Sequence, residues 1–118
     1  IELKPNYADA HLNLGNILRD LSKLKEAELS YRKAIEIKPD FAEAHSNLGN
    51  ILKTLGKIDE SIFNYDRSLT IKPNMPEALV GLGQSLIIKG KYIKGLNLLK
   101  KGDGTISFDL KNGVSIYQ

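Results

Sequence analysis

The chain repeats itself at a spacing of 34 residues, and that period limits its fold more than any other feature. Ala44-His45-Ser46-Asn47-Leu48-Gly49-Asn50-Ile51-Leu52 matches Ala10-His11-Leu12-Asn13-Leu14-Gly15-Asn16-Ile17-Leu18 at every position but one. Ile37-Lys38-Pro39-Asp40 returns as Ile71-Lys72-Pro73-Asn74, and Leu3-Lys4-Pro5-Asn6 precedes both. A third, weaker copy runs Ala78-Leu79-Val80-Gly81-Leu82-Gly83-Gln84-Ser85-Leu86. A fixed period of this length means supersecondary units stacked on their neighbours, rather than one closed globule.

Within each copy the apolar residues keep helical spacing. Ala10, Leu14, Ile17, Leu18 and Leu21 form one stripe, which predicts a helix from about Ala8 to Asp20 with that stripe buried. Ser22 marks a turn. A second helix is expected from about Lys25 to Ile37, with Ala27, Tyr31, Ala34, Ile35 and Ile37 facing inward. The second copy predicts helices over 42–54 and 59–71, with Gly56 at the turn, where a positive φ costs glycine little. The third predicts 76–89 and about 91–101, with Gly90 at the turn and Pro76 in a first helical turn. Pro5 is expected to close an earlier helix, because proline disfavours helical geometry in the residue before it.

Gly15, Gly49 and Gly83 fall mid-helix, where glycine costs about 1 kcal/mol relative to alanine. The same cost at the same phase in three copies points to a helix crossing too close for a side chain. Ala27, Ser61 and Gly95 are the matching small positions on the second helices. Beyond Gly102-Asp103-Gly104 the period changes to alternation, in Thr105–Leu110 and again in Val114–Gln118. A three-residue loop at Lys111-Asn112-Gly113 would keep one apolar face, so a short β-hairpin is expected there.

The internal spacing has a counterpart. The first copy carries His11, Leu14, Gly15, Leu18, Ala27, Tyr31 and Pro39. The second carries His45, Leu48, Gly49, Leu52, Ser61, Tyr65 and Pro73. This resembles the tetratricopeptide repeat (TPR), a helix–turn–helix unit of the same length, over about residues 1–101. The resemblance implies an all-α solenoid of helix–turn–helix units, followed by the short C-terminal β-hairpin. The expected divisions are 1–7 as the end of a preceding repeat, 8–41, 42–75, a degenerate 76–102, and 103–118 as hairpin or cap. Opening on the end of a repeat, the chain reads as a piece of a longer protein.

Composition sets outer bounds on function. Apolar residues are 42% and charged residues 26%, as in an ordinary soluble domain. A net charge of +3 is too small to argue for nucleic acid, and the lysines near the end of the third copy lack aromatic or arginine interleaving. No apolar run is long enough to span a bilayer. There is no cysteine, hence no thiolate nucleophile or thiolate metal site. His11 and His45 occupy equivalent positions and read as packing residues, since no carboxylate joins them at ligand spacing. No nucleophile–base pairing stands out, and neither Gly81-Leu82-Gly83 nor Gly102-Asp103-Gly104 has a phosphate loop's lysine. The expectation is a chain without catalytic, cofactor or metal residues.

In TPR proteins the first helix of each repeat lines a concave groove. The resemblance implies outward positions at Asp9, Leu12, Asn13, Asn16, Arg19 and Asp20, then Glu43, Ser46, Asn47, Asn50, Lys53 and Thr54, then Glu77, Val80, Gly81, Gln84, Ile87 and Ile88. Of these, Asn13, Asn16, Arg19, Asn47, Asn50, Lys53, Gln84, Ile87 and Ile88 are the candidate partner-binding residues. Asparagine is a poor helix-interior residue, and its recurrence suggests amides offered to an extended peptide. The row is similar to that in TPR regions of O-linked N-acetylglucosamine transferases, interrupted here by Gly81. The carboxylate-gripping mode of heat-shock co-chaperones does not fit, because Leu12, Glu77 and Gly81 stand where cations are needed. The expected function is a protein-interaction scaffold that binds a protein or peptide segment. The alternatives are a substrate-recruiting arm of a larger transferase and self-assembly through exposed ends.

Overall fold

The computed structural model describes residues 3–103, and side-chain surroundings for residues 7–102. Six helices follow in order: α1 Leu3–Asp20, α2 Leu24–Ile37, α3 Ala42–Thr54, α4 Ile58–Ile71, α5 Pro76–Ile88 and α6 Tyr92–Asp103. Among the described residues there is no strand. The expected hairpin or cap of 103–118 lies outside the described residues except for Asp103, which is helical in α6. None of these helices is long and apolar enough to cross a membrane.

Each helix packs on the next, and α1 also touches α3 as α3 touches α5, whereas the backbones of α2, α4 and α6 stay apart. The first helices of the three pairs therefore form a tight inner layer and the second helices a splayed outer one. This difference in spacing curves the stack and puts α1, α3 and α5 on its concave side.

The mid-helix glycines do what their phase predicts. A Cβ on Gly15 would lie 2.6 Å from the Tyr31 ring, and one on Gly49 would lie 2.9 Å from the Tyr65 ring. The third pair has Leu99 in place of the tyrosine. There a Cβ on Gly83 would meet the Gly95 carbonyl oxygen at 2.7 Å, so the two backbones touch directly. Each pair is thus closed by a ring or a backbone lying where a side chain would otherwise project. The turns follow the same logic: Gly56 and Gly90 take φ of 84° and 96°. Ser22 holds the equivalent left-handed position with φ 63°, where a non-glycine residue is disfavoured.

Two expectations for α1 are corrected. From Leu3, the first described residue, α1 runs without a break through Pro5, so Pro5 does not close an earlier helix. The predicted buried stripe is largely open: Leu14 is 45% and Ile17 56% exposed, and Leu21 and Ala10 are also exposed. Their equivalents Leu48 and Ile51 are each 1% exposed, because α2 covers α3. No helix stands in that place beside α1 among the described residues. Helical period shows which residues share a face; only the neighbour decides whether the face is buried.

Candidate functional site

Three of the four recurring asparagines of the inner layer, Asn16, Asn47 and Asn50, are engaged within the fold. The Tyr31 hydroxyl donates to Asn16 Oδ1 at 2.6 Å, and Asn47 Nδ2 donates to the same oxygen at 3.0 Å. The Tyr65 hydroxyl donates to Asn50 Oδ1. Each asparagine–tyrosine pair is separated by 15 residues, one pair per repeat. Both tyrosine rings are fully buried, and a buried hydroxyl needs an acceptor. The asparagine supplies it. Where the third repeat has Leu99 instead of tyrosine, it also has Gln84 instead of asparagine, and Gln84 Oε1 accepts from Lys53 Nζ.

Around this frame the nine candidate residues divide. Asn13 is exposed and makes no hydrogen bond among the described residues. Arg19 reaches the Tyr31 hydroxyl at 3.4 Å and pairs with Asp20 at 3.4 Å. Asn16, Asn47 and Asn50 are half-buried and carry the internal bonds above. Lys53, Gln84, Ile87 and Ile88 come together with Thr54 around one depression of about 410 Å³. It lies at the C-terminal ends of α3 and α5. Ile88 is 59% exposed beside it.

Three positions expected to face the groove do not. Leu12 and Ser46 are buried, and the Ser46 hydroxyl has no hydrogen-bond partner among the described residues. Gly81 is buried beneath the Tyr65 ring, whose tip occupies the space a Cβ would need. The interruption of the asparagine row at Gly81 is therefore a packing device: Tyr65 leans on α5 at the position where α3 carries Asn47.

Electrostatics distinguish the depression from the rest of the inner face. Burial lowers the pKa of Lys53, and among the described residues no carboxylate pairs with it. The only acids on α3 and α5 are Glu43 and Glu77, both in first turns at the opposite end of their helices. The nearby Asp59 is held by Lys89.

The outer layer has a cleft that sequence reasoning missed. It measures about 510 Å³ and is lined by Arg32, Glu36, Glu60 and Phe63, with His45 and Asn64 at its base. Arg32 is occupied by Glu28 at 2.8 Å, and Glu60 lies 3.9 Å from it. Phe63 in its lining is 61% exposed; the equivalent Leu29 one period earlier is also exposed but does not line the cleft. His45, read as a packing residue, is buried, with Nδ1 3.1 Å from Asn64 Oδ1 and Nε2 3.0 Å from the Pro39 carbonyl oxygen. His11, its equivalent, is half-buried. Among the described residues, no three acids or histidines gather as metal ligands would.

Comparison with known proteins agrees with this architecture. A family model described as TPR repeat matches residues 15–56, and one described as tetratricopeptide repeat matches residues 42–75. No curated protein sequence matches the chain. Among solved structures, one titled "Crystal structure of MamA" superposes with a TM-score of 0.77 at 24% identity, over 85% of this chain and 58% of that one. The chain thus spans less than two thirds of that protein's length, and the likeness is one of fold. Repeats of this kind generally serve as protein-interaction modules with concave binding surfaces. The two family matches together span residues 15–75, and over that stretch the chain carries tetratricopeptide repeats.

Proposed function

We propose that this chain is a non-catalytic protein-interaction module whose concave face receives a segment of a partner protein. The observation that carries this reading is the depression at Lys53, Thr54, Gln84, Ile87 and Ile88. It is concave, it joins two repeats, and Ile88 is largely exposed there beside Ile87, which is partly covered by α6 at Gly95. Isolated apolar side chains at a surface are ordinary, but an apolar depression edged by polar groups fits an interface. The outer cleft fits less well, because its cation is already satisfied by Glu28.

In this reading the asparagine row has a supporting part. Asn13 is free to meet a peptide backbone, while Asn16 and Asn50 have amide nitrogens left after their oxygens have taken the tyrosine hydroxyls. The similarity to the asparagine row of O-linked N-acetylglucosamine transferases therefore bears on these remaining nitrogens.

The test is an unbiased peptide-display selection on the folded chain, followed by affinity measurement on single substitutions. Ile87→Asp is expected to weaken the selected peptides by at least tenfold, and Phe63→Asp in the outer cleft to leave them unchanged. Peptides that ignore Ile87→Asp and lose affinity on Phe63→Asp would move the site to the outer face and end this reading.

A further inference from the structure

The depression has a chemistry of its own, and the following rests on the concave-face reading above. We infer that it takes a large apolar side chain of the partner segment together with a neighbouring carboxylate. The apolar side chain lies against Ile87 and Ile88, and the carboxylate is held by Lys53 and Gln84.

The apolar half follows from the walls. Ile87 and Ile88 present aliphatic surface, and Thr54 turns its hydroxyl away by donating to the Asn50 carbonyl at 3.0 Å. The space of about 410 Å³ accommodates a leucine- or phenylalanine-sized side chain with part of its backbone. Burying such a side chain is the main favourable term available at a shallow groove.

The acidic half follows from unspent donors. A lysine ammonium has three N–H groups, and Lys53 gives one to Gln84 Oε1. That bond takes up the Gln84 oxygen and leaves its amide nitrogen without a partner among the described residues. Two ammonium donors and an amide NH₂ then share one edge of an apolar depression. Lys53 is half-buried, and its one hydrogen-bond partner among the described residues is neutral. A carboxylate would supply the counter-charge that no described residue supplies.

Charge on the surrounding elements agrees. The acids of α3 and α5 sit at the far ends of those helices, Asp20 faces Arg19, and Asp59 is held by Lys89. The C-terminal ends of α3 and α5 carry partial negative charge, which Lys53 offsets. Without Lys53 the same pocket would repel a carboxylate. One repeat earlier the equivalent positions are Arg19, Asp20, Asn50, Lys53 and Thr54. That junction is polar throughout, so the apolar requirement belongs to the second junction alone.

The probes are the peptides from the display selection that depend on Ile87. They are expected to pair an aliphatic or aromatic residue with an aspartate or glutamate close by. Lys53→Gln, at a half-exposed position, should fold like the parent by circular dichroism and weaken these peptides about tenfold. Replacing the peptide acid by its amide should weaken binding to the parent equally and have no further effect on Lys53→Gln. Raising salt from about 50 to about 500 mM should weaken the parent's binding and barely touch the variant's. Ile87-dependent peptides without an acid, bound equally by Lys53→Gln, would overturn this inference and leave the concave-face reading standing. A library with no Ile87-dependent peptide would overturn both.

Discussion

At the scale of single residues, the asparagines show how one recurrence can serve packing and recognition together. Asn13, Asn16, Asn47 and Asn50 look alike in the sequence, yet Asn16 and Asn50 each accept a buried tyrosine hydroxyl and Asn13 accepts nothing from the described residues. Asn50→Ala should leave the Tyr65 hydroxyl without an acceptor and cost about 1–3 kcal/mol. Asn13→Ala should change stability by less than about 0.5 kcal/mol. Urea midpoints of the two variants check both figures. Loss of binding in an Asn50 variant would therefore mix a stability effect with a contact effect. Helical phase showed that these residues share the inner layer. It could not show which of them are already bonded, because the partner tyrosine lies on another helix, 15 residues on in the chain.

At the scale of helices, the same motif meets different neighbours. Leu14 and Leu48 are one residue type at one repeat position, but α2 covers Leu48 and nothing described covers Leu14. Leu48→Ala should cost about 2–5 kcal/mol and Leu14→Ala under about 1 kcal/mol. Thermal melts of the pair would show it; equal losses would mean that Leu14 is covered in solution. The six helices and their turns were legible because their signals are local: an apolar period, a glycine where φ is positive, a proline in a first turn. Pro5 was misjudged because a proline near a helix terminus is compatible with the end of one helix or the early part of another, and local sequence does not choose between them.

The tyrosine-closed helix pairs also set a pH dependence. Burial pushes the Tyr65 hydroxyl well above its usual pKa of 10.0. Burial also raises Tyr31, although the Arg19 charge works against it. Unfolded tyrosines ionise near pH 10.0 while the folded ones stay neutral, so above that pH the unfolded state binds fewer protons. Stability is then fully present below the unfolded pKa and falls as pH rises through it. Lys53, lowered by burial, acts in the opposite direction below its usual 10.5. The tyrosine effect is therefore read as a difference between proteins. Urea midpoints should fall from about pH 9 to about pH 11 less steeply in Tyr65→Phe than in the parent. Parallel curves would contradict the assignment.

At the scale of the whole molecule, the stack's curvature turns the unburied parts of the first helices into one continuous surface. That surface changes character along its length, from amides and Arg19 at the first junction to isoleucines edged by Lys53 and Gln84 at the second. Lys53, Gln84, Ile87 and Ile88 stood among nine residues that the repeat register assigned to the inner face, but the register did not single out these four as neighbours. Leu12, Ser46 and Gly81 were misplaced because register assigns a position on the helix, not the height at which a neighbour crosses it. The measurement that tests the concave-face account most directly is a map of amide chemical-shift changes as an Ile87-dependent display peptide is titrated into the isotope-labelled chain. The account predicts that the largest changes fall on Lys53, Thr54, Gln84, Ile87 and Ile88, with Arg32, Glu36 and Phe63 unmoved. Changes centred on Arg32 and Phe63, with the depression silent, would contradict it.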